Sequence, residues 1–281
     1  MGSPGARLIA FGNNVCQQLH DGPLMTMPTD VTRAFGDCIE ILWWGWNATV
    51  YQNASGMLLG RGVPKPLVHE EGGRDQVDAA RPVKILGCTH PQAFLNADGY
   101  VVAMENGTTS IRSWDDVVVT ELGACYAYQK GLGVFYFDTL NHLLLDHNPF
   151  GPFKHPLIRQ DTPLKLYAAE STVYFLTQHG TCHVLEAIDA RALPPALRST
   201  CQDPVQIQLV EELEGLGVTR IVPGSSNRFA ALTEAGDAYI LAPKIGLELL
   251  DVGDDVRLVG VGSDFDVVVT KDKIFVRGSS E

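Results

Sequence analysis

The chain has 281 residues, 45% of them apolar and 19% charged, and a formal net charge of −12. This composition supports a large buried core and excludes the low-hydrophobicity, high-charge profile of a disordered chain. No two Lys or Arg residues are adjacent, which argues against a nucleic-acid backbone as ligand, and no apolar run reaches the about 20 residues of a membrane span.

In chain order, the first expected element is a strand over residues 7–12. Six segments of one pattern follow, beginning at Ile39, Val83, Cys125, Leu164, Val218 and Val256. Each opens with a short apolar stretch that ends near a small anchor: Gly45, Gly87, Gly131, Ala168, Gly224 and Gly262. A second apolar strand follows, over 49–51, 93–95, 134–137, 173–176, 229–232 and 267–269. A tight turn comes next, over 53–56, 96–99, 139–142, 177–180, 233–236 and 270–273, and then another apolar strand. Two β-rich runs split by a short turn make a hairpin, and Gly supplies positive φ where a turn needs it. A small anchor suits a place where one backbone passes close to another.

The anchors are spaced by 42, 44, 37, 56 and 38 residues. A hairpin alone is marginally stable, but radially repeated copies bury their faces on one another. The expected fold is therefore all-β, a β-propeller of six or seven blades closed into a ring, spanning residues 1–281 as one domain. Two insertions between units are expected, residues 64–81 and the long step that contains Pro194–Pro195 and residues 211–217, where a short helix or an exposed loop is expected; residues 64–81 and 186–206 are candidate projections.

The stretch Trp43-Trp44-Gly45-Trp46 places three tryptophans within four residues. Strand alternation sends Trp43 and Trp44 to opposite faces, and Trp46 falls in the turn after the anchor. Trp46 either packs in the core or serves as an aromatic anchor for a partner. Trp46 and Asn47, with His90 in the corresponding turn of the next unit, are the candidate partner-binding residues.

Little in the chain points to catalysis. Cys88-Thr89-His90 and Cys182-His183 lack the spacing of a metal site, and there is no C-x-x-C. No G-x-S-x-G elbow or P-loop occurs, and Gly131-Leu132-Gly133 precedes a strand rather than a helix. The carboxylate pairs Glu70–Glu71, Asp115–Asp116 and Asp254–Asp255 read as solvated loops. No catalytic, cofactor-binding or metal-binding residue is assigned. The six widely spread cysteines read as reduced thiols, several of them packed as small apolar groups. Without a basic region and apolar run at the start, no signal peptide is expected, which points to the cytoplasm, with the nucleus as a second compartment.

Leu8-Ile9-Ala10-Phe11-Gly12-Asn13-Asn14, followed by Gln17-Gln18-Leu19, resembles the repeat ending of the regulator-of-chromosome-condensation family. The stretches from Phe229 to Leu241 and from Val259 to Val269 resemble the centre of that repeat. Within the family, Gly45-Trp46-Asn47-Ala48-Thr49-Val50 and Ala10-Phe11-Gly12-Asn13-Asn14 are similar to the fungal alpha-tubulin suppressor proteins. That resemblance implies a non-enzymatic protein that pairs with a small zinc-binding electron-carrier protein. The pair would support diphthamide synthesis and the Elongator-dependent modification of tRNA wobble uridine. The wider family implies an alternative, a guanine-nucleotide exchange factor or regulator of a Ran-like small GTPase. An enzyme built on a propeller is a third class, for which no residue constellation was found.

Overall fold

The computed structural model describes residues 9–12, 25–36, 38–44, 48–54, 58–62, 82–152, 164–187, 205–224, 227–242, 246–253, 255–262 and 265–278. The described residues are almost all-β, with short helices between strands. It divides into two compact units, Met1–Ser113 and Trp114–Glu281.

The first unit contains strands β1 (Ile9–Gly12) and β2 (Met25–Asp30), which pair with each other, followed by a 3₁₀ turn, η1 (Thr32–Phe35). Blade 1 is β3 (Cys38–Trp44), β4 (Ala48–Asn53) and β5 (Leu58–Gly62). Blade 2 is β6 (Pro82–Leu86), β7 (Ala93–Asn96) and β8 (Val101–Ala103). Trp43, Val50 and Leu58 of blade 1 pack on Ile85, Phe94 and Val102 of blade 2. Trp43 thus belongs to the core, and its indole Nε1 donates to the Gly87 carbonyl at 2.9 Å.

The second unit holds four blades. Blade 3 is β9 (Asp116–Val119), β10 (Cys125–Gln129) and β11 (Gly133–Phe137), and a short helix α1 (Leu140–Leu144) follows it. Blade 4 is β12 (Leu164–Ala169), β13 (Thr172–Thr177), β14 (Cys182–Ala187) and β15 (Val205–Leu209). A 3₁₀ turn, η2 (Glu211–Leu213), leads into blade 5, formed by β16 (Val218–Pro223), β17 (Phe229–Thr233), β18 (Ala238–Ala242) and β19 (Gly246–Leu249). Blade 6 is β20 (Val256–Val261), β21 (Phe265–Thr270) and β22 (Ile274–Gly278). Every pairing within these sheets is antiparallel.

Within the second unit, packing runs from each blade to the next. Tyr126, Tyr128 and Val134 meet Leu166 and Phe175 between blades 3 and 4. Tyr174 and Leu176 meet Ile221 and Phe229 between blades 4 and 5. Val222, Ala230 and Ile240 meet Val259 and Val268 between blades 5 and 6. The anchor glycine of blade 5 shows why it is small: a Cβ on Gly224 would lie 2.5 Å from Val261 Cγ1 of the next blade.

The hairpin turns share one device. Asn96 Oδ1 accepts from the amides of Asp98 and Tyr100, and the Oγ1 atoms of Thr177, Thr233 and Thr270 accept from Thr181, Asp237 and Lys273. A Thr or Asn at the head of these four turns therefore satisfies an amide that the strand ladder leaves over, whereas Gln129 heads the β10–β11 turn of blade 3.

The third repeat unit departs from the sequence expectation. Residues 139–142 do not form a hairpin turn. Thr139 caps α1, its hydroxyl accepting from the His142 amide at 3.2 Å. Gly131 stands in the turn between β10 and β11 rather than at an anchor. The inner strand of this blade is β9, and it begins in a stretch read from sequence as a solvated acidic loop. Asp116 is in fact buried, its carboxylate accepting from the amides of Val117 and, in blade 4, Leu166. Two backbone donors stabilise a carboxylate that burial alone would penalise. Asp115 beside it is exposed, as the loop reading held.

Candidate partner-binding rims

Each blade presents two rims. The anchor rim carries the turn from its first strand to its second, and the hairpin rim carries the turn from its second strand to its third. Of the residues singled out in the sequence, Trp46 and Asn47 lie outside the described residues. His90 stands on the anchor rim of blade 2, exposed, with Nδ1 3.2 Å from Thr89 Oγ1. Among the described residues no group of three or more His, Cys, Asp or Glu could hold a metal ion. No helix among them is long and apolar enough to cross a membrane.

On the anchor rim of the second unit, neighbouring blades are bonded at every seam. The Glu121 amide donates to the Glu170 carbonyl at 2.7 Å, joining blades 3 and 4. Asn227 Oδ1 accepts from the amides of Ser171 and Thr172 at 3.0 and 3.1 Å, joining blades 4 and 5. Arg228 Nη1 donates to the Gly262 carbonyl at 2.7 Å, and Nη2 pairs with Asp266 Oδ2 at 2.8 Å, joining blades 5 and 6.

Asn227 holds φ at +56°, a region that Asn tolerates better than most residues. Asn227→Ala removes the shared acceptor and keeps the strain, so a loss of about 2 kcal/mol is expected in urea denaturation. Asn227→Gly relieves the strain and loses only the clamp, so its loss should be about 1 kcal/mol. Equal stability of wild type and both variants would show that the seam does not depend on this side chain.

The hairpin rim has a different character. Around blade 5 the chain returns three times to this rim, through η2, the β17–β18 turn and the link from β19 to β20. These segments present Glu211, Glu212, Glu214, Glu234, Asp237, Asp251 and Asp255, all exposed. Residues 211–217, 234–237 and 251–255 contain no Lys or Arg. The result is an acidic surface assembled from residues up to 44 positions apart in sequence, between Glu211 and Asp255. No single run of the chain announces it.

The buried thiols are poor nucleophiles. Burial pushes the Cys182 thiol up to about 12 and raises that of Cys125 as well. Both remain protonated at neutral pH and pack as small apolar groups.

No protein-family model matches the chain, and no curated protein sequence matches it. Solved structures do. Yeast RCC1 (Prp20), in a crystal structure with Kap60, superposes with a TM-score of 0.62 at 11% identity, over 96% of this chain and 78% of that one. Prp20p from Saccharomyces cerevisiae, whose structure was reported with its binding to Gsp1p and histones, gives 0.62 at 12% identity, over 96% and 80%. Human WBSCR16 gives 0.58 at 12% identity, over 94% and 81%. At such identities the likeness is one of fold, and the fold is that of an RCC1-like β-propeller.

Proposed function

We propose that this chain is a non-catalytic, protein-binding propeller whose partner presents a basic surface to the hairpin rim of blade 5. The observation that carries the reading is the acidic rim itself, seven exposed carboxylates in three turns that hold no Lys or Arg. Such a surface steers a cationic partner and rejects anionic ones. Among partner classes we favour the regulation of a small GTPase of the Ran type. Support comes from a fold neighbour, Prp20p, which was reported with its binding to Gsp1p and histones. Pairing with a small zinc-binding electron carrier, implied by the resemblance to the tubulin suppressors, is the second reading. No feature of the rims favours it.

Purified chain would be titrated with a Ran-type GTPase, and separately with core histones as a basic probe, at several salt concentrations. Wild type should bind with an affinity that falls as salt rises. The triple variant Glu211→Lys, Glu212→Lys, Glu214→Lys should bind at least about tenfold more weakly, through lost electrostatic attraction. An unchanged affinity in that variant would remove the rim from the interface. Accelerated nucleotide release from the GTPase would support exchange-factor activity. Recovery of a zinc-binding carrier, with no GTPase binding, would turn the assignment to the second reading.

A further inference from the structure

The segment after blade 3 carries an arrangement that the partner-binding reading does not use. Tyr136 and Phe150 exchange two backbone hydrogen bonds of 2.9 Å, pinning the ends of the loop that holds α1. The helix ends in a paired-bond stop. The His147 amide donates to the His142 carbonyl at 2.8 Å, and the Asp146 amide donates to the Leu143 carbonyl at 3.2 Å. Asp146 takes φ of +49°, the left-handed conformation this stop requires.

A stop of this type brings together the side chains at the two ends of the hydrogen bond that spans more residues, here His142 to His147, and those positions frequently hold an apolar pair. Here both are histidines. The ring centroids of His142 and His147 are 5.4 Å apart, with His147 exposed and His142 partly so. Two leucines would seal this stop better than two imidazoles, so the choice of residues points away from packing. The backbone bond between the two residues holds them in place before any ligand arrives.

We propose that His142 and His147 form a two-imidazole site for a borderline transition-metal dication such as Ni²⁺ or Zn²⁺. Neutral imidazole suits these ions, whereas Mg²⁺ and Ca²⁺ require oxygen ligands. With two protein ligands the remaining coordination positions belong to water, so the site is an exchangeable surface site rather than a closed structural one. Protons and metal compete for the same imidazole nitrogens, so binding weakens on acidification.

The test is calorimetric titration of the full chain with NiCl₂, and separately with MgCl₂, at pH 7.5 and at pH 5.5. The expected result is one Ni²⁺ equivalent bound at the higher pH, weakened at the lower, with no Mg²⁺ binding. His147→Phe keeps a ring against His142 but loses the ligand, and His142→Phe does the converse. Each should weaken that one equivalent at least about tenfold, while circular dichroism stays that of the wild type. The proposal is overturned if wild type binds no Ni²⁺, or if both variants bind it with unchanged stoichiometry and affinity.

Discussion

Gly87→Ala is expected to destabilise the N-terminal unit by about 4 kcal/mol, the sum of backbone strain and steric overlap. Gly87 has φ of +137°, where an L side chain is strained whatever the space around it. The space is also lacking. A Cβ would lie 2.0 Å from the His90 carbonyl oxygen and 3.2 Å from the Gln92 nitrogen, both backbone atoms. The Gln92 amide donates to the Leu86 carbonyl at 2.8 Å, so this turn cannot widen without breaking its own closure. Gly87 also accepts the Trp43 indole through its carbonyl, so a shift there loosens the seam between blades 1 and 2. The change is a large share of the 5–15 kcal/mol by which domains are usually stable. Urea denaturation followed by tryptophan fluorescence should show a much lower midpoint. An alanine variant with the wild-type midpoint would mean that the turn relaxes freely and that the glycine is dispensable.

The second large effect is expected at Arg228. Asp266 is buried, with its side chain 6% exposed, and Arg228 is 19% exposed. Breaking a buried pair by removing one partner leaves an uncompensated charge, at a cost of about 3 kcal/mol. Arg228→Ala should lose that much, and it also loses the bond to the Gly262 carbonyl. Among the described residues Asp266 Oδ1 has no hydrogen-bond partner, so the carboxylate depends heavily on the arginine. Replacing both residues by leucine should recover most of the loss, because an apolar pair carries no desolvation penalty. A double-mutant cycle measured by denaturation decides the matter. A coupling energy near zero would mean that the pair contributes nothing to the seam between blades 5 and 6.

The repeat was legible because its physical causes are local. Turn heads at Asn96, Thr177, Thr233 and Thr270 bond within their own turns, and Gly224 is small because Val261 stands against it. Blade 3 was misread because two stretches there compete for one pattern. Thr139 looks like a turn head, but its hydroxyl caps a helix instead. The fourth strands β15 and β19, VQIQL and GLEL, alternate apolar and polar residues as strands do, but they are short and lie outside the repeated strand-turn-strand unit. What defines them is the open edge of the strand before them, a tertiary fact. The acidic rim was invisible for a similar reason. Its carboxylates come from separate turns, and only the fold decides which turns share an end. His142 and His147 were likewise hidden inside what read as a hairpin.

The bonds at the seams of the second unit have a consequence for how that unit is made. Each one joins a blade to its immediate successor: Glu121 to Glu170, Asn227 to Ser171, Arg228 to Asp266. These contacts span 38 to 56 residues, about the length of one repeat unit. A blade therefore finds its docking face already present on the one synthesised before it. Assembly can proceed vectorially from the ribosome, and loss of one seam uncouples the blades beyond it while leaving those before it folded.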